Sequence, residues 1–157
     1  MKKYLNELLD DQDLISHIIN KTQNSNFKNF ADSEVKYGRR IGWYIIVRAL
    51  KPRIVVETGV DKGLGSVMLS SAIIRNIKEN FEGKYFGTDI NPEAGYIFTD
   101  KYAAVGEILY GDSIESLDKF DNRIDLFIND SDHSAVYEAR EYELIKNKLS
   151  ETGFVLG

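Results

Sequence analysis

The sequence predicts an α/β fold in which a doubly wound, mostly parallel sheet follows an N-terminal helical cap. From residue 53 onward, short β-branched runs alternate with helical segments of about a dozen residues, which is typical of βαβ units. Before that point, apolar residues recur at helical spacing. The 157 residues are 43% hydrophobic and 29% charged, which suits one globular domain. We divide it into a helical cap, residues 1–52, and an α/β core, residues 53–157, within a single domain.

The cap is predicted to contain three helices. The first two carry leucine and isoleucine at i, i+3, i+4 spacing and are separated by the acidic residues 10–13. The polar stretch 20–29 predicts a loop. The third helix should begin with Asp32 or Ser33 as its N-cap and end at Pro52, because the residue before a proline disfavours helical backbone.

The core is predicted to contain five strands joined by four helices. The strands are expected at residues 53–57, 84–89, 107–110, 124–129 and 153–156. The helices between them are expected at residues 65–77, 92–104, 113–120 and 135–149.

Composition excludes several classes of function. Without cysteine, the chain has no thiolate zinc site, iron–sulfur cluster or disulfide framework. A formal net charge of −5 argues against nucleic acid, whose phosphates need a basic surface. The N-terminus lacks the form of a signal peptide, and the most apolar window is far shorter than the roughly 20 residues of a membrane helix. We therefore expect a cytoplasmic protein that binds neither nucleic acid nor membranes.

The turn after the first strand has the form of a small-ligand site. Glycines lie where the strand passes into a helix, so the backbone can approach a ligand closely. Asp61 replaces the second glycine of the dinucleotide fingerprint, and Leu64 replaces the second glycine of the P-loop. A NAD-dependent oxidoreductase or epimerase stays an alternative, although Tyr142 and Lys146 lack a supporting serine upstream.

This turn resembles the E/D-x-G-x-x-x-G segment of class I S-adenosylmethionine-dependent methyltransferases. The residues that carry the resemblance are Glu57, Gly59, Gly63, Gly65 and Ser66. It implies that they bind S-adenosylmethionine, with Glu57 near the methionine moiety. Glu57 could instead cap a helix or pair with a lysine.

Two further acids end strands at the same edge of the sheet. Asp89 ends the second strand, where doubly wound folds place a carboxylate on ribose hydroxyls. Asp112 follows the third strand, where the resembled family has an acid facing the adenine amino group. Asp112 could equally be the N-cap of the next helix.

The segment after the fourth strand closely resembles that of a small-molecule O-methyltransferase subfamily related to catechol O-methyltransferase. It contains Asp130, Asp132 and His133, and departs from the subfamily pattern at Asn129 and Ser131. The resemblance implies that Asp130 and Asp132 bind Mg²⁺ or another divalent cation, and that Asp130 and His133 are catalytic. The alternative is a set of turn and capping residues for the helix that follows.

The predicted function is S-adenosylmethionine-dependent methyl transfer to a hydroxyl of a small molecule, such as a sugar or secondary metabolite. A non-catalytic ligand-binding module is a second alternative. The resembled fold normally has seven strands, so we expect the chain to be a fragment of a longer protein. The fifth strand would then lie on an open edge, which favours association into a homo-oligomer.

Overall fold

A computed structural model of the chain describes residues 1–30, 34–132 and 134–157. Its five strands form one sheet in the order β3-β2-β1-β4-β5, and every pair is parallel. The strands are β1 (Ile54–Thr58), β2 (Lys84–Asp89), β3 (Gly106–Tyr110), β4 (Ile124–Asn129) and β5 (Leu149–Leu156). The strand order reverses beside β1, which makes the carboxyl ends of β1 and β4 the switch point where such folds bind ligands.

Seven α-helices surround this sheet in the part of the chain that is described. They are α1 (Lys2–Leu9), α2 (Gln12–Gln23), α3 (Arg40–Leu50), α4 (Leu64–Lys78), α5 (Asp100–Ala103), α6 (Ser113–Asp118) and α7 (Ala135–Ile145). A short 3-10 helix covers Lys28–Phe30. Within the described residues, no helix has the length and apolar character needed to cross a membrane.

The sheet is covered on both faces, which confirms the doubly wound architecture. Successive residues of a strand point to opposite faces, and in β1 Val55 and Val56 belong to different hydrophobic clusters. The Val55 cluster contains apolar residues of α1 to α5, whereas the Val56 cluster contains Leu117 of α6 and Ile145 of α7. The N-terminal helices therefore share one core with α4 and the sheet.

A buried arginine ties the N-terminal helices to α4. Arg48 of α3 is 1% exposed, and its Nε donates to Glu7 of α1 at 2.6 Å. Its Nη2 donates to Glu79, the C-cap residue that follows α4, at 2.6 Å. Arg48 also donates to Asn76 inside α4. One side chain thus joins three helices through charge-assisted hydrogen bonds.

Several predicted boundaries are wrong, including the start of the polar loop 20–29, because α2 continues to Gln23. The third helix begins at Arg40, after Gly38 with its left-handed φ of 58°, while its predicted caps Asp32 and Ser33 lie outside the described residues. Most of the predicted helix 92–104 is a series of turns that ends in the short α5, because Gly95 has a φ of 79°. The last helix ends at residue 145, and β5 begins four residues later.

Candidate functional site

A cleft of about 480 Å³ opens across the carboxyl ends of β1, β2, β3 and β4. Five aspartates line it: Asp61, Asp89, Asp112, Asp130 and Asp132. Among the described residues, no lysine or arginine lines it. A lining of this charge favours a cationic, hydroxyl-bearing ligand and disfavours a pyrophosphate.

Asp89 is held rigidly at the end of β2. Its Oδ2 accepts a hydrogen bond from the backbone N–H of Asp61 at 2.8 Å, and its Oδ1 accepts one from Asn91 N–H at 2.8 Å. The carboxylate therefore joins the glycine-rich turn to the loop after β2. Since each carboxylate oxygen can accept more than one hydrogen bond, Asp89 retains capacity for ligand hydroxyls.

Asp112 is the N-cap of α6. Its Oδ1 accepts from Ile114 N–H at 2.8 Å and from the Tyr137 hydroxyl at 3.0 Å. The capping alternative is thus observed, while Asp112 also lines the cleft. Tyr137 of α7 lines it as well, and burial is the largest cause that raises the pKa of its hydroxyl.

Asp130 lies directly after β4 with a side chain that is 7% exposed. It forms ion pairs with Arg39 and Arg40 at the start of α3. The contact from Arg40 Nη2 to Asp130 Oδ2 is 3.5 Å, and Arg39 Nη2 lies against Oδ1. Sequence reasoning missed both arginines, because they precede Asp130 by about 90 positions and no local motif links them.

The predicted metal ligands Asp130 and Asp132 both have hydrogen-bond or ion-pair partners within the chain. Both oxygens of Asp130 face guanidinium groups, and Asp132 accepts from Ser134 N–H at 2.9 Å within the turn that opens α7. The described residues contain no group of three or more histidine, cysteine or acidic side chains placed to hold a metal ion. The predicted catalytic His133 lies outside the described residues.

Glu57 is separated from the cleft and wholly buried. Its Oε2 accepts from the Tyr85 hydroxyl at 2.5 Å and from Ser66 at 3.3 Å, and its Oε1 has no hydrogen-bond partner among the described residues. Burial raises the pKa of Glu57 to about 7, against the lowering effects of the Tyr85 hydrogen bond and the Arg40 charge. Ser66 is buried beside it on α4.

The glycines of the turn are required by close backbone and side-chain approaches. A Cβ at Gly59, where φ is 83°, would collide with the carbonyl of Asp130, so this glycine lets the ends of β1 and β4 meet. A Cβ at Gly65 would collide with Glu57 Oε1. Gly63 has a φ of 92° and precedes the first residue of α4. Of these three, only Gly59 lines the cleft.

A second buried acid, Glu141 of α7, accepts hydrogen bonds from several side chains next to the cleft. It accepts hydrogen bonds from Asn129 at 2.6 Å and from Ser131 at 2.9 Å, and also from Ser113 and Thr58. Asn129 and Ser131 are the two positions at which the sequence departs from the resembled subfamily. Both departures therefore supply hydrogen-bond donors to this buried carboxylate.

Comparison with known proteins agrees with this geometry. The model of a family described as a methyltransferase domain matches residues 56–157. No curated protein sequence matches the chain.

Solved methyltransferase structures share the fold at low sequence identity. The SAH-bound methyltransferase PaMTH1 of Podospora anserina is 16% identical, with a TM-score of 0.69 over 98% of this chain and 65% of that one. An O-methyltransferase of Bacillus cereus in complex with SAH is 15% identical, with a TM-score of 0.66 over 94% of this chain and 67% of that one. The O-methyltransferase TomG of Streptomyces achromogenes, in complex with SAM, is 16% identical and has a TM-score of 0.66, over 97% of this chain and 68% of that one.

The chain therefore spans about two thirds of the length of these structures. The matched region begins within β1, at residue 56. It includes the whole glycine-rich turn and the aspartates that line the cleft. This confirms the family that the turn resembles: the chain belongs to the methyltransferase domain family.

Proposed function

We propose that the chain binds S-adenosylmethionine in the strand-end cleft and transfers its methyl group to a hydroxyl of a small molecule. The observation that carries this proposal is the set of five aspartates around the ends of four parallel strands in a methyltransferase fold. The SAH or SAM named with the structurally similar methyltransferases supports the same ligand.

The cleft residues fit the parts of this cofactor. Asp89 accepts the ribose hydroxyls, because its carboxylate is fixed by two backbone N–H groups and has further acceptor capacity. Asp112 accepts from the adenine amino group while it caps α6. The exposed side chain of Ile90 offers an apolar surface to the base. Gly59 brings the methionine end of the cofactor close to the backbone.

The remaining turn residues act by positioning. Glu57 and Ser66 hold the end of β1 against α4, and Gly65 leaves room for the Glu57 carboxylate. Gly63 supplies the left-handed residue at which α4 begins. We propose that these four residues affect cofactor affinity through the shape of the turn.

Transfer requires an acceptor oxygen beside the bound cofactor. When bound, S-adenosylmethionine supplies a methyl group on a positively charged sulfur. Asp130 and its arginines fix the electrostatic field at the end of β4, and His133 is the predicted base that takes the acceptor proton. We assign no step to a divalent cation, because both oxygens of Asp130 are paired with arginines. No observation favours the NAD-dependent alternative.

Calorimetric titration with S-adenosylhomocysteine and with NAD tests the proposal. We expect the 157-residue protein to bind the first and not the second. Asp89→Ala should weaken S-adenosylhomocysteine binding by roughly 1.5–3 kcal/mol, which is the range for a hydrogen bond to a charged group. Asp118→Ala, on the exposed surface of α6, is the matched control and should leave affinity unchanged.

Thermal melts of both variants separate lost binding from lost folding. If Asp89→Ala is unstable, Asp89→Asn, which keeps one acceptor oxygen, replaces it in the titration. Unchanged affinity in Asp89→Ala would reject the ribose assignment. Binding without turnover on any hydroxyl acceptor would favour the non-catalytic alternative. The acceptor class, a cytoplasmic location and the absence of nucleic-acid partners stay predictions.

A further inference from the structure

Two adjacent arginines at the start of α3, Arg39 and Arg40, form a guanidinium pair against the acid at the end of β4. Asp130 is 7% exposed on its side chain, so water provides little of the stabilisation that its charge needs. The guanidinium pair provides it, with Arg39 Nη2 against Oδ1 and Arg40 Nη2 against Oδ2.

An indole ring fixes the guanidinium pair from the other side. The ring of the buried Trp43, one turn further along α3, lies 5.8 Å from the Arg39 guanidinium carbon and 5.3 Å from that of Arg40. Both distances are within the range of a cation–π interaction. The two cations are therefore oriented before any ligand arrives, as a preorganised site requires.

Arg40 is the more buried of the two arginines, with a side chain that is 21% exposed against 58% for Arg39. The positive charge of Arg40 reaches the second buried acid, Glu57, where it opposes the effect of burial on the pKa of that carboxyl.

We propose that the guanidinium pair takes the electrostatic place of a divalent cation at Asp130. The two arginines supply fixed positive charge where the resembled subfamily is expected to use a metal ion. A planar guanidinium matches carboxylate and other anionic oxygens.

This inference does not rest on the proposed function. Binding of Mn²⁺ alone, measured by electron paramagnetic resonance, tests it without cofactor or turnover. We expect the 157-residue protein to bind no Mn²⁺ at about 1 mM, because both oxygens of Asp130 are already paired.

Removal of both arginines should leave the Asp130 carboxylate able to bind a metal ion. Arg39→Gln/Arg40→Gln should bind Mn²⁺ at least about tenfold more tightly than the wild type, and adding Asp130→Asn should abolish the gain. Arg39→Lys/Arg40→Lys keeps both charges and should stay free of Mn²⁺. Arg53→Gln is the control, since that side chain is 78% exposed at the start of β1.

Two results would overturn the inference. One is wild-type Mn²⁺ binding that Asp130→Asn abolishes, and the other is a glutamine double variant that folds and takes up no more Mn²⁺ than the wild type. If the double variant does not fold, the wild type, Asp130→Asn and the lysine variant decide the question. Failure of S-adenosylhomocysteine to bind would instead reject the proposed function and leave the Mn²⁺ result standing.

Discussion

The carboxyl group of Glu57 gives folding a pH dependence of its own. Burial raises its pKa from the ordinary value of 4.5 to about 7, although the Tyr85 hydrogen bond and Arg40 oppose that effect. The folded protein therefore binds this proton more tightly than the unfolded chain does. By linkage, the free energy of unfolding falls as pH rises from 4.5 to about 7 and then levels off.

Glu57→Gln should remove this contribution, because an amide keeps the shape and carries no charge. Relative to the variant, we expect the wild type to lose about 3 kcal/mol of unfolding free energy between the two pKa values. Urea unfolding at a series of pH values measures the difference. Glu82→Gln, at a side chain that is 89% exposed, should follow the wild type. Parallel curves for wild type and Glu57→Gln would contradict the shift.

Single residues also show what local sequence can reveal about the site. The structure brings Gly59, Asp89, Asp112, Asp130 and Asp132 together, since each lies at or just beyond a strand end that the hydrophobic pattern predicts. Glu57 is not among them, because it shares the face of Val55 that α4 covers. The period of two along β1 could have indicated this. The partners of Asp130 and Glu141 come from distant segments that no local pattern connects.

Among the elements, the strands and the helices α1, α2, α4 and α6 were predictable from their apolar spacing. The errors lie where backbone conformation decides. Gly95 breaks the expected helix after β2 through its positive φ, and a Cβ there would collide with Ile108 of β3. This contact cannot be predicted from a lone glycine inside a helical pattern, because Ile108 lies in a later strand.

The junction of α1, α3 and α4 depends on Arg48. Arg48→Met should lower the free energy of unfolding by about 3 kcal/mol, because the carboxylates of Glu7 and Glu79 lose their buried guanidinium partner. Adding Glu7→Gln should restore part of that loss, because it removes a charge that has lost its main partner and keeps, among the described residues, only the longer ion-pair contact with Arg75 at 3.9 Å. Chemical denaturation of the single and double variants measures both effects. Arg53→Met, at an exposed side chain, is the control, and equal stability of Arg48→Met and wild type would refute the role of this junction.

At the scale of the whole molecule, the sheet has two different edges. β3 and β5 are its outer strands, and β5 presents Phe154 and Val155 with side chains that are 50% and 41% exposed. No strand of the described chain pairs with the outer side of β5. An apolar edge strand of this kind is a template for pairing with another chain.

We therefore expect the 157-residue protein to self-associate in a concentration-dependent manner, as measured by sedimentation velocity. Val155→Lys should shift the population toward monomer, because a charged side chain at an edge strand opposes pairing. Gln23→Lys adds the same charge at the exposed end of α2 and should leave association unchanged. If the wild type sediments as a monomer across the whole concentration range, the open edge of β5 is protected by its own side chains and the predicted homo-oligomer is wrong. If both lysine variants dissociate equally, net charge rather than the β5 edge controls association.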